Sequence, residues 1–247
     1  MLAIFKKELR SYFLNAIGYV YVGIFLAVSA LLCCYTTLGS GTYDTTNYFA
    51  FIPVIFIILI PLLTMRLFAE EKKLRTEQLL MTAPVSITGM VVGKFLAAFT
   101  LFTIGVLVSL VNFIPLCIYA YIDGVNAATV SGLGPVASMI FSNTIGLLLM
   151  GAAFIAIGIF VSSLTENQLA AAIITVAIIS SMLLLSLVNA YIGNYVVRTI
   201  IDWVCFMSRY GKFQAGQFDP SALLYFVSIS GVFLFLTVRV YDKRRWG

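Results

Sequence analysis

The chain has 247 residues, of which 62% are hydrophobic and only 10% charged, and its mean hydropathy is +1.05. Soluble globular domains hold about 45–50% apolar and about 25% charged residues, so this composition excludes one and calls for a lipid bilayer. With no histidine, imidazole bases and ligands are excluded, HExxH zinc chemistry and serine–histidine proteolysis among them. The chain is therefore not expected to be an enzyme.

At about 20 apolar residues per crossing, the whole chain reads as one all-α integral membrane domain, 1–247. Its six apolar stretches fall at about 17–38, 48–65, 95–121, 136–161, 169–192 and 221–240. Runs such as Phe51 to Ile60 lack the period-2 alternation of barrel strands, so the stretches are helical. The first is too long for the apolar region of a cleavable signal, which runs to about 15 residues. Cys33, Cys34 and Cys117 lie in apolar runs and Cys205 in a connection, which is no framework for disulfides or a metal.

Ahead of the first stretch, residues 1–16 plotted as a helix gather Leu2, Phe5, Leu9, Tyr12, Phe13 and Ala16 in one arc. Lys6, Lys7, Arg10, Ser11 and Asn15 lie off it, with Ile4 the exception. This predicts an interfacial helix whose apolar residues, Phe5, Leu9 and Phe13 foremost, enter the lipid while the basic flank meets anionic headgroups. A plain topology anchor is the alternative.

The connection from Met65 to Ser86 carries the most information. Glu70, Glu71, Lys73 and Glu77 offer helical i,i+3 and i,i+4 pairing, and Pro84 ends the segment. Leu79, Leu80 and Met81 follow, three large apolar residues outside every span, as a docking patch for a partner requires. The alternative is a solvated loop whose leucines fold back on the bundle.

Of 15 basic residues, twelve lie before the first span (Lys6, Lys7, Arg10), between the second and third (Arg66, Lys72, Lys73, Arg75, Lys94), or at the end (Arg239, Lys243, Arg244, Arg245). Arg198, Arg209 and Lys212 make up the rest. The positive-inside rule then puts both termini in the cytoplasm, and the net charge of +5 signals topology, with no nucleic-acid partner. Apart from Arg239 at the very end of the sixth, none of the six apolar stretches contains Asp, Glu, Lys or Arg, which disfavours an ion-driven carrier. The run Gly89 to Phe95 falls one residue short of a P-loop and ends on Phe, so the chain holds no nucleotide site. Gly151, Ala152, Ala156, Gly158 and Ser162 in the fourth span suit close helix approach.

Between the fifth and sixth spans, Val196, Val197, Ile200, Ile201, Val204 and Met207 share one helical face, with Arg198 and Asp202 paired opposite. An outward-side helix dipping into the leaflet fits, and Ile200, Ile201 and Val204 are candidate residues of an extracellular gate. A passive surface helix is the alternative.

Several motifs resemble the permeases of ABC type-2 transporters, in the subgroup that includes gliding-motility permeases. They are Ile17-Gly18-Tyr19-Val20; Pro61 to Arg66 with Glu70-Glu71-Lys72; Thr76 and Leu79 to Ser86; Gly93 to Ala98; and Gly158 with Ser162 to Gln168. Phe213, Gly216, Phe218-Asp219, Leu223-Leu224-Tyr225 and the ending Lys243 to Trp246 complete the set. The resemblance implies six spans in the cell membrane, an amphipathic N-terminal helix, a coupling helix after the second span and re-entrant helices before the sixth. It also implies a second permease copy or homologue, and a separate cytoplasmic ABC ATPase that binds ATP and magnesium while this chain binds no cofactor. Glu70, Glu71, Lys73, Glu77, Leu79, Leu80 and Met81 would then face that ATPase. A membrane scaffold of an envelope or motility machine, or a stand-alone carrier, are the rival functions. Three departures stand out: Arg75 occupies a position where many members carry Gly, Gln78 one where many carry an acidic residue, and Asn15-Ala16 replaces a frequent Ser-Pro pair.

Overall fold

The computed structural model describes residues 1–39, 44–75, 86–122, 137–189, 192 and 195–246. Among them every regular element is helical: α1 (Leu2–Leu14), α2 (Ala16–Cys33, prolonged by a π-turn at Cys34–Leu38), α3 (Thr46–Thr64) and α4 (Arg66–Lys73). After these come α5 (Ile87–Ser109), a 3₁₀ turn (Leu110–Asn112) and α6 (Phe113–Ile122). The rest are α7 (Ala137–Leu164), α8 (Gln168–Asn189), α9 (Tyr195–Val204), α10 (Phe206–Gln214) and α11 (Pro220–Trp246). Among the described residues six helical stretches are long and apolar enough to cross a bilayer: Ala16–Thr37, Thr46–Lys73, Ile87–Tyr119, Ser138–Leu164, Gln168–Asn189 and Pro220–Arg245.

The third stretch starts eight residues before the apolar run that announced it, and this corrects the expectation that the spans are free of charge. Ser86 caps the helix by accepting from the Gly89 N–H at 3.2 Å. Lys94 therefore sits two turns inside α5, with only 1% of its surface exposed. The second stretch likewise runs on through α4 after a turn at Met65.

α7 is the axis of the bundle. Of its most apolar window 72% is buried, against 22% for α8 and for α11, and α3, α5, α10 and α11 all pack on it. Aromatic rings fill the space around it, Phe25 against Phe56, Phe56 against Phe102, and Phe49 between Tyr48 and Phe113. The small residues of α7 set the spacing, since a Cβ at Gly158 would run into Thr64 of α3 and one at Gly151 into Phe102 of α5.

α1 and α2 are separated by one extended residue, Asn15 (φ −87°, ψ 143°). No proline is needed for that bend, because Gly18 lets the Tyr12 carbonyl oxygen come within 2.5 Å of where a Cβ would stand. Around α1 the residues divide into three faces. Ile4, Glu8 and Tyr12 point into the bundle, with Ile4 against Gly93 of α5. Leu2 and Phe13 are exposed, Phe5 and Leu9 partly so, and Lys6, Lys7 and Arg10 stand on the third side. Ile4 is thus no exception to the apolar arc but part of a separate packing face, and Tyr12 belongs with it.

α1, α4, the start of α5 and the end of α11 meet at one end of the bundle, where Gly89 and Gly93 lie beside Met1, and Phe68 meets Tyr241 with ring centroids 4.8 Å apart. Most of the basic residues gather at this basic end.

Candidate functional site

The basic end is built around the junction of α3 and α4. The turn at Met65 leaves amides and carbonyls of two helix ends in need of partners, and one hydroxyl of α7 supplies them. Ser162 Oγ accepts from the N–H groups of Phe68 and Ala69 at 3.2 and 3.1 Å and donates to the Met65 carbonyl at 3.2 Å. Lys72, buried, donates to the Ser163 carbonyl next door. On the other side of the junction the Tyr12 hydroxyl of α1 donates to the Leu63 carbonyl at 3.0 Å. Burial, and then the nearby Glu8 carboxylate, push that phenol well above its usual pKa, so it stays a neutral donor.

Lys94 joins these parts. Its ammonium donates to Glu8 of α1 at 3.1 Å and to the Leu67 carbonyl at 2.7 Å, and pairs with Glu71 of α4 at 2.8 Å. The Phe68 ring lies 5.0 Å away. An ammonium has three N–H donors, and here all three have acceptors, the condition under which a buried charge is tolerable. Two carboxylates share the Lys94 ammonium, and Lys7, 3.9 Å from Glu71 and solvent-facing, supplies part of the missing positive charge. Beside this cluster Arg66 holds Glu70 with two bonds of 2.7 and 2.8 Å, closing a polar cleft lined also by Ser11, Tyr12 and Asn15.

The predicted docking residues separate accordingly. Glu70 and Glu71 face inward onto Arg66 and Lys94, while Lys73 is exposed. Glu77, Leu79, Leu80 and Met81 lie outside the described residues. Arg75 stands in the left-handed region (φ 56°), its N–H bonded to the Lys72 carbonyl at 3.0 Å. That backbone is the one glycine adopts freely after a helix end, which accounts for the departure noted in the sequence.

Sequence reasoning missed Glu8 and Lys94. The available signal was Glu8 itself, the one acidic residue of a basic helix, set four residues after Ile4 and four before Tyr12. Lys94 was hidden because an apolar-run criterion starts the span after it.

At the far end, the single helix predicted over 196–207 is two, because Cys205, fully buried, takes an extended backbone (φ −76°, ψ 117°) between α9 and α10. Met207 therefore belongs to another helix than Val204. Phe206, Tyr210 and Phe213 of α10 are buried along α7: Phe206 stacks on Phe154 at 5.0 Å and Phe213 abuts Gly146. The Tyr210 hydroxyl lies 3.2 Å from the Phe49 carbonyl and 3.3 Å from Asn143 Oδ1. Asp202, expected to pair with Arg198, instead accepts from Asn189 Nδ2 at 2.7 Å and Ser208 Oγ at 2.8 Å. Of the proposed gate residues, Ile201 is half-buried, Val204 is exposed, and the side chain of Ile200 lies outside the described ones.

A comparison with curated proteins finds no match. A family profile described as "ABC-2 family transporter protein" matches residues 11–207, which takes in everything from the end of α1 to the start of α10. An all-helical, multi-pass membrane chain with six bilayer-length helices, matched over most of its length, belongs to the ABC-2 family of transporter membrane proteins.

Proposed function

We propose that this chain is the permease subunit of an ABC exporter in the cell membrane, working as a dimer with a second copy or a homologue and driven by a separate cytoplasmic ATPase. The observation that carries the reading is that the two helix ends flanking residues 76–85 are tied to one buried cluster. α4 ends at Lys73 and α5 starts at the Ser86 cap, and Lys94 of α5 binds Glu71 and the Leu67 carbonyl of α4. The sequence between these two helices carries Leu79, Leu80 and Met81 beside acidic residues, the composition of an apolar anchor with a charged rim.

The basic end faces the cytoplasm in this reading, since the positive residues gather there, and α1 lies at the interface with Leu2 and Phe13 toward lipid and Lys6, Lys7 and Arg10 toward headgroups. The α9–α10 pair enters the outer leaflet, with Cys205 at its turn, and covers the bundle from outside. The chain itself performs no covalent chemistry and binds no cofactor; ATP and magnesium belong to the partner. The gliding-motility-like subgroup remains part of the proposal, resting on the motif resemblance.

The test replaces Leu79 and Leu80 together with Asp. Membrane insertion should persist while capture of the ATPase encoded with the permease, and transport-coupled hydrolysis, are lost. Retention of both would overturn the reading, as would outside labelling of a cysteine placed at Lys73.

A further inference from the structure

We propose that Lys94 is a positioning residue that makes α1, α4 and the first turns of α5 move as one body, so that force applied to residues 74–86 reaches the N-terminal helix. This rests on the exporter reading for its use, but the tie itself is a property of the chain alone.

The geometry argues for it in three steps. α4 and α5 flank residues 76–85 in the chain, and a displacement passed on from there separates the two helices unless they are joined. Lys94 joins them, reaching from α5 to Glu71 and to the Leu67 carbonyl of α4. Glu8 then extends the same joint to α1 at 3.1 Å. Side-chain exposures of 1%, 14% and 16% for Lys94, Glu8 and Glu71 keep the joint out of water, where charge pairs are little screened.

The position of the joint is also informative. Other attachments of α4 in this region run to α7, where Ser162 and Ser163 hold Phe68, Ala69 and Lys72, to α11 through the Phe68 and Tyr241 rings, and to α1 through the solvent-facing Lys7 beside Glu71, while Arg66 holds Glu70 within α4. A pure anchor for α4 is therefore already present in α7. What Lys94 adds is a buried connection to α1, which the solvent-facing Lys7–Glu71 pair does not supply and an apolar residue at 94 would not make. Ion pairing suits a joint that must keep its partners through a small rotation, because a lysine on a four-carbon stem can follow two carboxylates where packed side chains would have to re-register.

The experiment uses the full-length permease in nanodiscs, alone and with its ATPase. Spin labels at the exposed positions Arg10 and Lys73 report the α1-to-α4 distance by pulsed electron resonance. Lys94→Met, close in size and uncharged, should broaden that distribution markedly in the permease alone, and should cut transport per ATP hydrolysed by about ten-fold, the scale of a typical coupling free energy. Lys94→Arg should restore a narrow distribution and most of the coupling, which a mere filler of space at 94 would not predict. An unchanged distance distribution in Lys94→Met overturns the proposal. Should that variant fail to insert, Glu8→Gln, Glu71→Gln and the double variant replace it: sharing one lysine, the two changes must be non-additive in distribution width, and strict additivity overturns the proposal. If the wild-type permease binds no ATPase while the labels respond as expected, the exporter reading fails and the joint stands.

Discussion

Gly158→Ala is the most direct probe of how closely α3 and α7 must approach. A Cβ at 158 would fall on the Thr64 hydroxyl, 2.9 Å from the Thr64 Cβ and 3.1 Å from its Cγ2. Thr64 cannot swing aside without loss, being fully buried with its hydroxyl donating to the Ile60 carbonyl at 3.0 Å. Overpacking of this kind costs about 1–3 kcal/mol and the lost hydrogen bond about 1 kcal/mol, against a helix-propensity gain of up to about 1 kcal/mol for Gly→Ala. The net expectation is a loss of about 1–3 kcal/mol, the combined outcome of these opposing effects. Thermal unfolding in detergent, followed by loss of the monodisperse peak, should rank Gly158→Ala below Gly23→Ala and Gly231→Ala, whose added Cβ atoms meet nothing within 4 Å. Thr64→Ala should recover part of the loss when combined with Gly158→Ala, because it removes the hydroxyl and Cγ2 from the collision. Equal melting of Gly158→Ala and the two open-site controls would refute the close-approach argument.

Arg75→Gly should stabilise the end of α4 by about 1 kcal/mol, the usual cost of a left-handed backbone for a residue with a side chain, and slower amide exchange at Leu74 and Arg75 would show it. At the far end, Asp219 accepts from Lys212 and from the Ser221 N–H, and these bonds, the lysine's foremost, hold its carboxyl below the usual carboxylate range. Its contribution to the α10–α11 corner is thus present at neutral pH and is lost as pH falls through that lowered value. The protection factor of the Ser221 amide, its exchange taken relative to the intrinsic rate at each pH, should fall on acidification in the native chain and already be low, and independent of pH, in Asp219→Asn.

Six long helices were legible because a bilayer demands bilayer-length apolar runs and little else meets that demand. The ends of those helices were not, since a helix continues wherever its backbone is satisfied. α5 begins at the Ser86 cap, well ahead of its apolar run, and so carries Lys94 inside. For α1 the periodicity identified the lipid-facing arc, but the bundle face consists of Ile4, Glu8 and Tyr12, a mixed row that a hydrophobicity plot discards. The division of α9 from α10 depends on an extended Cys205, which no spacing of apolar residues encodes. The left-handed residue after α4 was legible only as a departure, an arginine where glycine is usual.

Ser162 also bears on how the chain is made. The amides of Phe68 and Ala69 receive their acceptor from a residue more than ninety positions later in the sequence, and Glu8 waits for Lys94 across 86 positions. During synthesis the N-terminal helix and α3 emerge long before either partner exists. α4 consequently reaches its final setting only when α7 has been inserted, and a chain truncated before residue 162 lacks the acceptor of the Phe68 and Ala69 amides. Nascent and fragmentary permeases are in this way poor imitations of the finished surface, and maturation of the basic end is tied to completion of the fourth span.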